Sequence, residues 1–544
     1  MQQKLLSGKK VLKIDKNLLI IILTRSKITL YLLERRIVMK LTRAIIASIL
    51  GTAALVQFFF WGGFGIGYTL LFWILLVSYF IACGMPKGGR RQIIENAALA
   101  ALAAGISLSY SLFANPYLRV MNLLVLVFLM ALVFLQGTVG ELISWDRPIF
   151  IMELIIGYFV RPFVCLPRPW KEMKAHHGLR KEAKKEPLVS RSNIRIGLQI
   201  FIAFIVAVPL LLILASLLSA SDPVFREMTS GFFKYLDMIK LNVAVGQIIV
   251  FLILLPFTAS AVWSYRDAYK ATHMNDTANP AGTSQQLYFP TAFAITILTL
   301  VNILYVLFAI IQFAYIFGAW NGNLPDGITP ATYARNGFFE LAFVAGINIV
   351  LLLCCIRFTK RGGTAGLAVR FLSMALLALS AVQLASAMSR MYMYVQAYGL
   401  SELRYFVSAF MILIAVFFIF LAAREFIGKF PLMRSMIFAG AAALLILNFS
   451  VPDARIAEYN ISHFESGELQ TLDVDYIADS LSSDAHIVLL QNEDAIVLRD
   501  KTMKTKMDDA RERIAEKSLG YQSGAEKNWK LINWSQDALA REIS

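Results

Sequence analysis

The residues best placed to do chemistry are polar side chains inside long apolar runs. Within 290–316, Asn302, Tyr305 and Gln312 recur at steps of three and seven, which puts them on one helix face. Within 337–357, Glu340 and Asn348 share a face, with Tyr333 and Arg335 just before it. Within 366–389 and beyond, Gln383, Ser386, Arg390 and Tyr394 form a stripe, and Glu402 and Arg404 open the next run. A charge or amide among lipid-facing residues costs several kcal/mol unless paired, so such residues are the first place to look for a site. Two readings stay open. Asn302, Tyr305, Gln312, Tyr333, Arg335, Glu340, Gln383, Arg390, Tyr394 and Arg404 form an outward-facing polar pocket for an anionic or polar ligand, with Glu340 and Glu402 as partners for the arginines. Alternatively, the same residues hold helices together without any ligand.

The elements that carry these residues follow from composition. Of 544 residues, 58% are hydrophobic and only 16% are charged. That excludes an ordinary soluble enzyme, a disordered chain and a disulfide scaffold. A helix needs about 20 apolar residues to cross a bilayer. Eleven stretches qualify: 44–61, 65–84, 93–113, 121–137, 197–219, 243–264, 290–316, 337–357, 366–389, 404–423 and 434–450. Their continuous apolar character predicts helices rather than barrel strands. The expected fold is therefore an all-α multi-pass bundle of about eleven spans.

Basic residues fall in alternate loops, and the densest group lies between Arg161 and Arg195. Lys and Arg are retained on the cytoplasmic side, which predicts an inside N-terminus and an extracytoplasmic tail. Residues 149–166 are apolar enough to tempt as a further span. As a span they would carry the 161–195 cluster outward, so they read as an amphipathic helix on the inner face.

The chain divides on this basis into five parts. Residues 1–38 are a basic arm or a mis-assigned start, and 39–137 hold four helices. Residues 138–196 are the cytoplasmic amphipathic helix and basic loop, 197–450 a seven-helix core, and 451–544 an extracytoplasmic helical tail. The tail carries 18 acidic and 11 basic side chains, a net of −7 within a total of +16. The basicity of the whole thus reports topology, and no nucleic-acid partner is expected. The bilayer is the expected partner, with anionic headgroups at the 161–195 loop, and protein partners stay undefined.

The tail reads as helical. Ile496, Met503, Met507, Ala510 and Ile514 keep helical spacing, as do Trp529, Ile532, Ala538 and Ile543. Asp473 and Asp475 read as a helix start, since acids favour first turns. Asp222 before Pro223 reads the same way, opening an interfacial helix with Phe225, Met228, Phe232 and Leu236 on one face. His176 and His177 stand without the further ligands that a metal site needs. There is no P-loop, no H-E-x-x-H and no G-x-S-x-G. No metal, cofactor or catalytic residue is assigned, and the non-enzyme readings lead.

Several segments resemble a family of bacterial polytopic membrane proteins known as domain of unknown function 4173, with a sibling family 4153. They are ASLLSASDPVF (215–225), NILYVLFAIIQFAYIFG (302–318), TYARNGFFEL (332–341) and RMYMYVQAYGLSELR (390–404), followed in the tail by DARIAEYNI (453–461) and LDVDYIADSLSSDA (472–485). The resemblance implies a bacterial cell-membrane location and no assigned reaction. Three functions are expected from the sequence: a transport or export component, a membrane scaffold or sensor that uses the tail, or a membrane enzyme acting on an envelope or lipid-linked substrate.

Overall fold

A computed structural model of the chain describes residues 39–84, 89–139, 163, 165–181, 243–278, 290–320, 338–359, 362–428 and 430–543. Seventeen α-helices occur among them. The first eleven are α1 (Met39–Phe60), α2 (Ile66–Cys83), α3 (Arg90–Leu112), α4 (Pro116–Val139), α5 (Arg168–Lys181), α6 (Val243–Ala278), α7 (Thr291–Trp320), α8 (Phe338–Phe358), α9 (Gly363–Tyr398), α10 (Glu402–Phe426) and α11 (Leu432–Phe449). The tail holds α12 (Pro452–Ser466), α13 (Val474–Ser480), α14 (Ser483–Gln491), α15 (Glu493–Arg499), α16 (Met503–Lys527) and α17 (Trp534–Ile543), with a single 3₁₀ turn at Trp529–Leu531.

Nine of these helices are long and apolar enough to cross a membrane: α1–α4, α6, α7 and α9–α11. Helix α8 adds a shorter apolar stretch, Phe343–Phe358. The predicted spans at 44–61 through 121–137, at 243–264 and from 290 onward thus have matching helices, and the fold is an all-α multi-pass bundle. The predicted span 197–219, the 149–166 helix (apart from residues 163, 165 and 166) and the 222–236 helix lie outside the described residues. Part of the expected basic loop is helix α5 instead, with Pro169 tolerated in its first turn.

Helix α9 runs 36 residues, well past the predicted 366–389. At 1.5 Å per residue it is about 54 Å long, more than a bilayer's hydrocarbon core. Its last turns therefore carry Arg390 and Tyr394 beyond the apolar stretch. Gly399 ends it with a φ of 74°, and a Cβ there would meet Asn460 Oδ1 at 2.6 Å, so only glycine fits.

The chain forms two compact units. One comprises 1–53, 77–84 and 161–266; the other comprises 54–76, 85–160 and 267–544. In the first, the Trp263 indole is buried and donates to Glu172 Oε2 at 3.0 Å, while Phe163 and Phe257 meet edge to face. In the second, α7–α11 pack around Leu298, Leu376, Leu384, Met411 and Ile414. Asn122 of α4 and Asn448 of α11 exchange amide bonds at 2.7 and 2.9 Å, which satisfies two otherwise costly groups between helices.

The tail has its own core. Ile456, Phe464, Ile477, Leu489, Ile496, Met507, Ile514 and Leu539 are buried together. Ile496, Met503, Met507, Ala510 and Ile514 all face this core as their spacing predicts, although the helix is broken between Arg499 and Met503. The expected face at Trp529 and Ile532 is corrected: both are exposed, α17 starts only at Trp534, and its buried face is Ser535, Leu539 and Ala540. The reason is local. Asn528 accepts from the Lys530 N–H at 3.3 Å and turns the chain before the helix can begin. Asp473 caps α13 as predicted, accepting from Tyr476 N at 2.9 Å.

Candidate functional site at the junction of bundle and tail

The polar residues of the long spans separate into two groups. Asn302 of α7 donates to the Leu372 carbonyl of α9 at 3.0 Å and to Leu298 of its own helix at 2.7 Å. Tyr305 donates to Asn348 Oδ1 at 2.7 Å, and Asn348 donates on to Ser380 Oγ at 2.8 Å. The Tyr305–Asn348–Ser380 chain ties α7, α8 and α9 together, while the buried Asn302 Oδ1 has no hydrogen-bond partner. Gln383 lies nearby in sequence, 2% exposed, and its Oε1 has no hydrogen-bond partner.

The second group sits at the α9–α10 corner. Arg404 lies over the Tyr394 ring at 4.1 Å and donates to the Tyr398 carbonyl at 3.0 Å, capping the end of α9. Arg390 is buried, and Glu340 is exposed at the start of α8. The side chains of Gln312, Tyr333 and Arg335 lie outside the described residues. For Arg404, the expected partnership with Glu402 gives way to another arrangement. Arg404 is committed to the α9 carbonyls, and Glu402 turns toward Asn115.

Asn115 ends the turn between α3 and α4, followed by Pro116 at the first helical position. Its Oδ1 accepts from Leu118 N at 2.8 Å, the usual capping geometry for an asparagine before a proline. That leaves the amide nitrogen free to point outward. It donates to Glu402 Oε1 at 2.8 Å and to Asp453 Oδ1 at 2.7 Å. Three elements distant in sequence thus meet on one buried amide: the α3–α4 turn, the first residue of α10 and the first turn of α12.

Around this centre further polar contacts seat the tail. Asp453, 0% exposed, accepts from Ser482 N at 3.1 Å through its other oxygen. Asp484 accepts from Ala114 N at 3.0 Å. Tyr476 accepts from Glu402 N at 3.0 Å. Asn460 exchanges bonds with both backbone groups of Leu400, at 2.6 and 2.7 Å. Asn533 donates to the Tyr110 and Phe113 carbonyls at 2.9 Å each, so a tail residue caps the end of α3. Burial holds the Asp453 and Asp484 carboxyls above the usual carboxylate range, against hydrogen bonds from Ser482, Asn115 and Ala114 that pull the other way.

The chain enters this junction through Val451, whose φ of 49° is left-handed and unusual for a β-branched residue. Pro452 follows at once and starts α12. Close by, His486 of α14 is 4% exposed, with its ring near the Ala478 and Leu481 backbone. Burial, with Lys517 alongside, pushes its imidazole down to about 4. It borders a cavity of about 280 Å³ that also touches Ala114, Pro116, Lys517 and Tyr521.

Sequence reasoning passed over Asn115, Asp453, Asp484 and Asn533. Asn115-Pro116 and Pro452-Asp453 read locally as helix starts, and nothing in their spacing indicates that they meet. Among the described residues no group of three or more His, Cys, Asp or Glu side chains is arranged to hold a metal ion.

The class defined by these features is an all-α, multi-pass membrane protein with a helical C-terminal domain seated on its own bundle. Residues 100–492 match the family described as Domain of unknown function (DUF4153), and with most of its length matched the chain belongs to that family. The match falls on the sibling of the 4173 family that the sequence motifs resemble. It spans α3 through α14, and so includes Asn115, Glu402, Asp453 and Asp484, but stops short of Asn533. No curated protein and no solved structure matches the chain.

Proposed function

We propose that this protein is a membrane scaffold or sensor of the bacterial cell membrane, working through its seated tail. The observation that carries this reading is the Asn115 amide bonded to both Glu402 and Asp453. Such a junction makes the tail's position depend on the α3–α4 turn and on α10, so a partner that binds the tail acts on the bundle. On the charge pattern the tail is extracytoplasmic, and the basic 161–195 loop meets anionic headgroups or a cytosolic partner. The domain division at 450/451 follows the same logic.

The reading is tested by deleting residues 451–544 and assaying the null phenotype of the gene. Loss of complementation with normal membrane insertion supports it, and full complementation sinks it. A periplasmic-type reporter fused after Ser544 tests the side, and activity only when it is fused to a cytoplasmic-type reporter reverses it.

A second reading, a transport or export component, is favoured by Gln383. Its buried Oε1 has no partner, as expected of a group that waits for a ligand or water. Substituting Gln383→Leu, which keeps the volume and removes the amide, separates the two readings. Retained function leaves the scaffold reading standing alone.

A further inference from the structure

We infer that the segment around Trp529, Ile532 and Trp534 is a membrane-interface anchor, by which the tail domain rests its aromatic edge in the headgroup region of the bilayer. Three apolar side chains on one short segment are exposed: Trp529 at 50%, Ile532 at 38% and Trp534 at 65%. The tail's own core is built without them, and exposed apolar side chains gathered in one patch mark a contact surface.

Their position decides the occupant. Helices α1 and α2 are each long enough to cross the membrane, so the turn that joins them lies at a membrane surface. The segment is bonded to that turn. Ile66 N donates to Ile532 O at 2.9 Å, so a tail carbonyl caps the start of α2. Lys530 is buried and donates to the Gln57 carbonyl at 2.9 Å, one of the orphan acceptors at the end of α1. Trp529 meets Phe58 edge to face at 6.2 Å. Gly63 and Gly65 leave room for this contact, since a Cβ on either would overlap Leu531.

The turn itself is aromatic. Phe59, Phe60 and Phe64 are exposed beside it. Tryptophan and other amphipathic rings favour the boundary between hydrocarbon and water, where the ring face is apolar and the indole N–H stays wet. Trp529 and Trp534 therefore continue, from the tail, the belt that Phe59, Phe60 and Phe64 begin on the bundle. Lys530 is not the headgroup contact, because its ammonium is spent on α1 carbonyls. The anchor holds whichever side of the membrane the tail occupies, and so stands apart from the orientation proposed above.

The test uses the full chain in proteoliposomes and the variants Trp529→Phe and Trp534→Phe. Both positions are exposed and the change keeps a ring, so folding is checked simply by an unchanged thermal melt. Intrinsic fluorescence is quenched with lipids brominated near the headgroup end of the acyl chain, with lipids brominated near the methyl end, and with aqueous iodide. Each variant is expected to lose fluorescence that the shallow bromines quench, with a smaller loss in the deep-bromine fraction and little change in the iodide fraction. If the lost fluorescence is the iodide-quenchable part, the edge faces water and the inference fails. If it is quenched by neither, a protein surface covers the edge, and the inference fails equally.

Discussion

Asn115 and Asp453 lie 338 positions apart in the chain, and the Asn115 amide donates to the Asp453 carboxyl at 2.7 Å in a site closed to solvent. The same nitrogen serves Glu402. The two N–H groups of that amide serve one carboxyl each, so one side chain ties α10 and α12 to the α3–α4 turn. The tail's seating therefore depends on that amide and on the state of the acids around it.

Replacing Asn115 with alanine removes the α4 cap and leaves two buried carboxyls without their shared donor. The expected cost is roughly 2–4 kcal/mol, the sum of a lost cap and unsatisfied buried acceptors. Limited proteolysis in detergent reads this as faster release of a fragment cut near Val451. Unchanged cleavage would mean that the apolar contacts alone seat the tail.

Asp453 and Asp484 ionise above their unfolded value of about 3.9, so the folded tail binds more protons than the unfolded chain. Their contribution is then complete below that value and is lost as pH rises through the raised folded values. Melting of the full chain should show stability draining from this source as pH climbs out of the acid range. Asp453→Asn and Asp484→Asn each remove one of these buried acids while keeping an oxygen acceptor, and each should flatten that dependence. A slope identical to the wild type in both variants would remove the two acids as its cause.

His486 has the opposite sign. Its folded value is lowered from 6.5 to about 4, so its contribution is complete above 6.5 and is lost as pH falls toward 4. The loss amounts to something on the order of 3 kcal/mol at the acid end. His486→Leu removes the titrating imidazole from this buried position. The variant should lose less stability than the wild type between pH 6.5 and 4. An equal loss over that range would remove His486 as its cause.

Gly63 and Gly65 distinguish two kinds of close approach. A Cβ on Gly63 overlaps the end of the Leu531 side chain, which can rotate away; a Cβ on Gly65 lies 2.6 Å from the Leu531 backbone carbonyl, which cannot. Gly65→Ala should therefore cost more than Gly63→Ala, by about 1–3 kcal/mol of overpacking. It should also expose the 528–534 segment to amide hydrogen exchange. Equal protection in both variants would argue that the turn yields freely.

Much of the bundle was legible because a span must satisfy its own backbone in lipid, and that demand is written locally. The apolar runs at 44–61, 65–84 and 434–450 each became a helix near the expected bounds. The tail's helices were legible for the same kind of reason: Ile496, Met507 and Ile514 keep the period that a core-facing side requires. Helix ends were less so. Nothing near 389 stops α9, which runs on to Gly399 because no breaker intervenes and Asn460 waits at its end.

The junction was not legible at all. Asn115 caps α4 locally, yet its second task depends on where Glu402 and Asp453 arrive, 287 and 338 positions further along the chain. Arg404 beside Glu402 invites an ion pair, but the helix end at Tyr398 claims the arginine first. Trp529 and Ile532 fit a helical period and instead form an exposed edge, because Asn528 turns the chain and the α1–α2 turn receives it. Periodicity and composition determine which stretches become helices and which faces are apolar. Which buried polar groups share a hydrogen bond is decided only when the helices pack, since an orphan amide or carboxyl takes whichever partner the fold brings within about 3 Å.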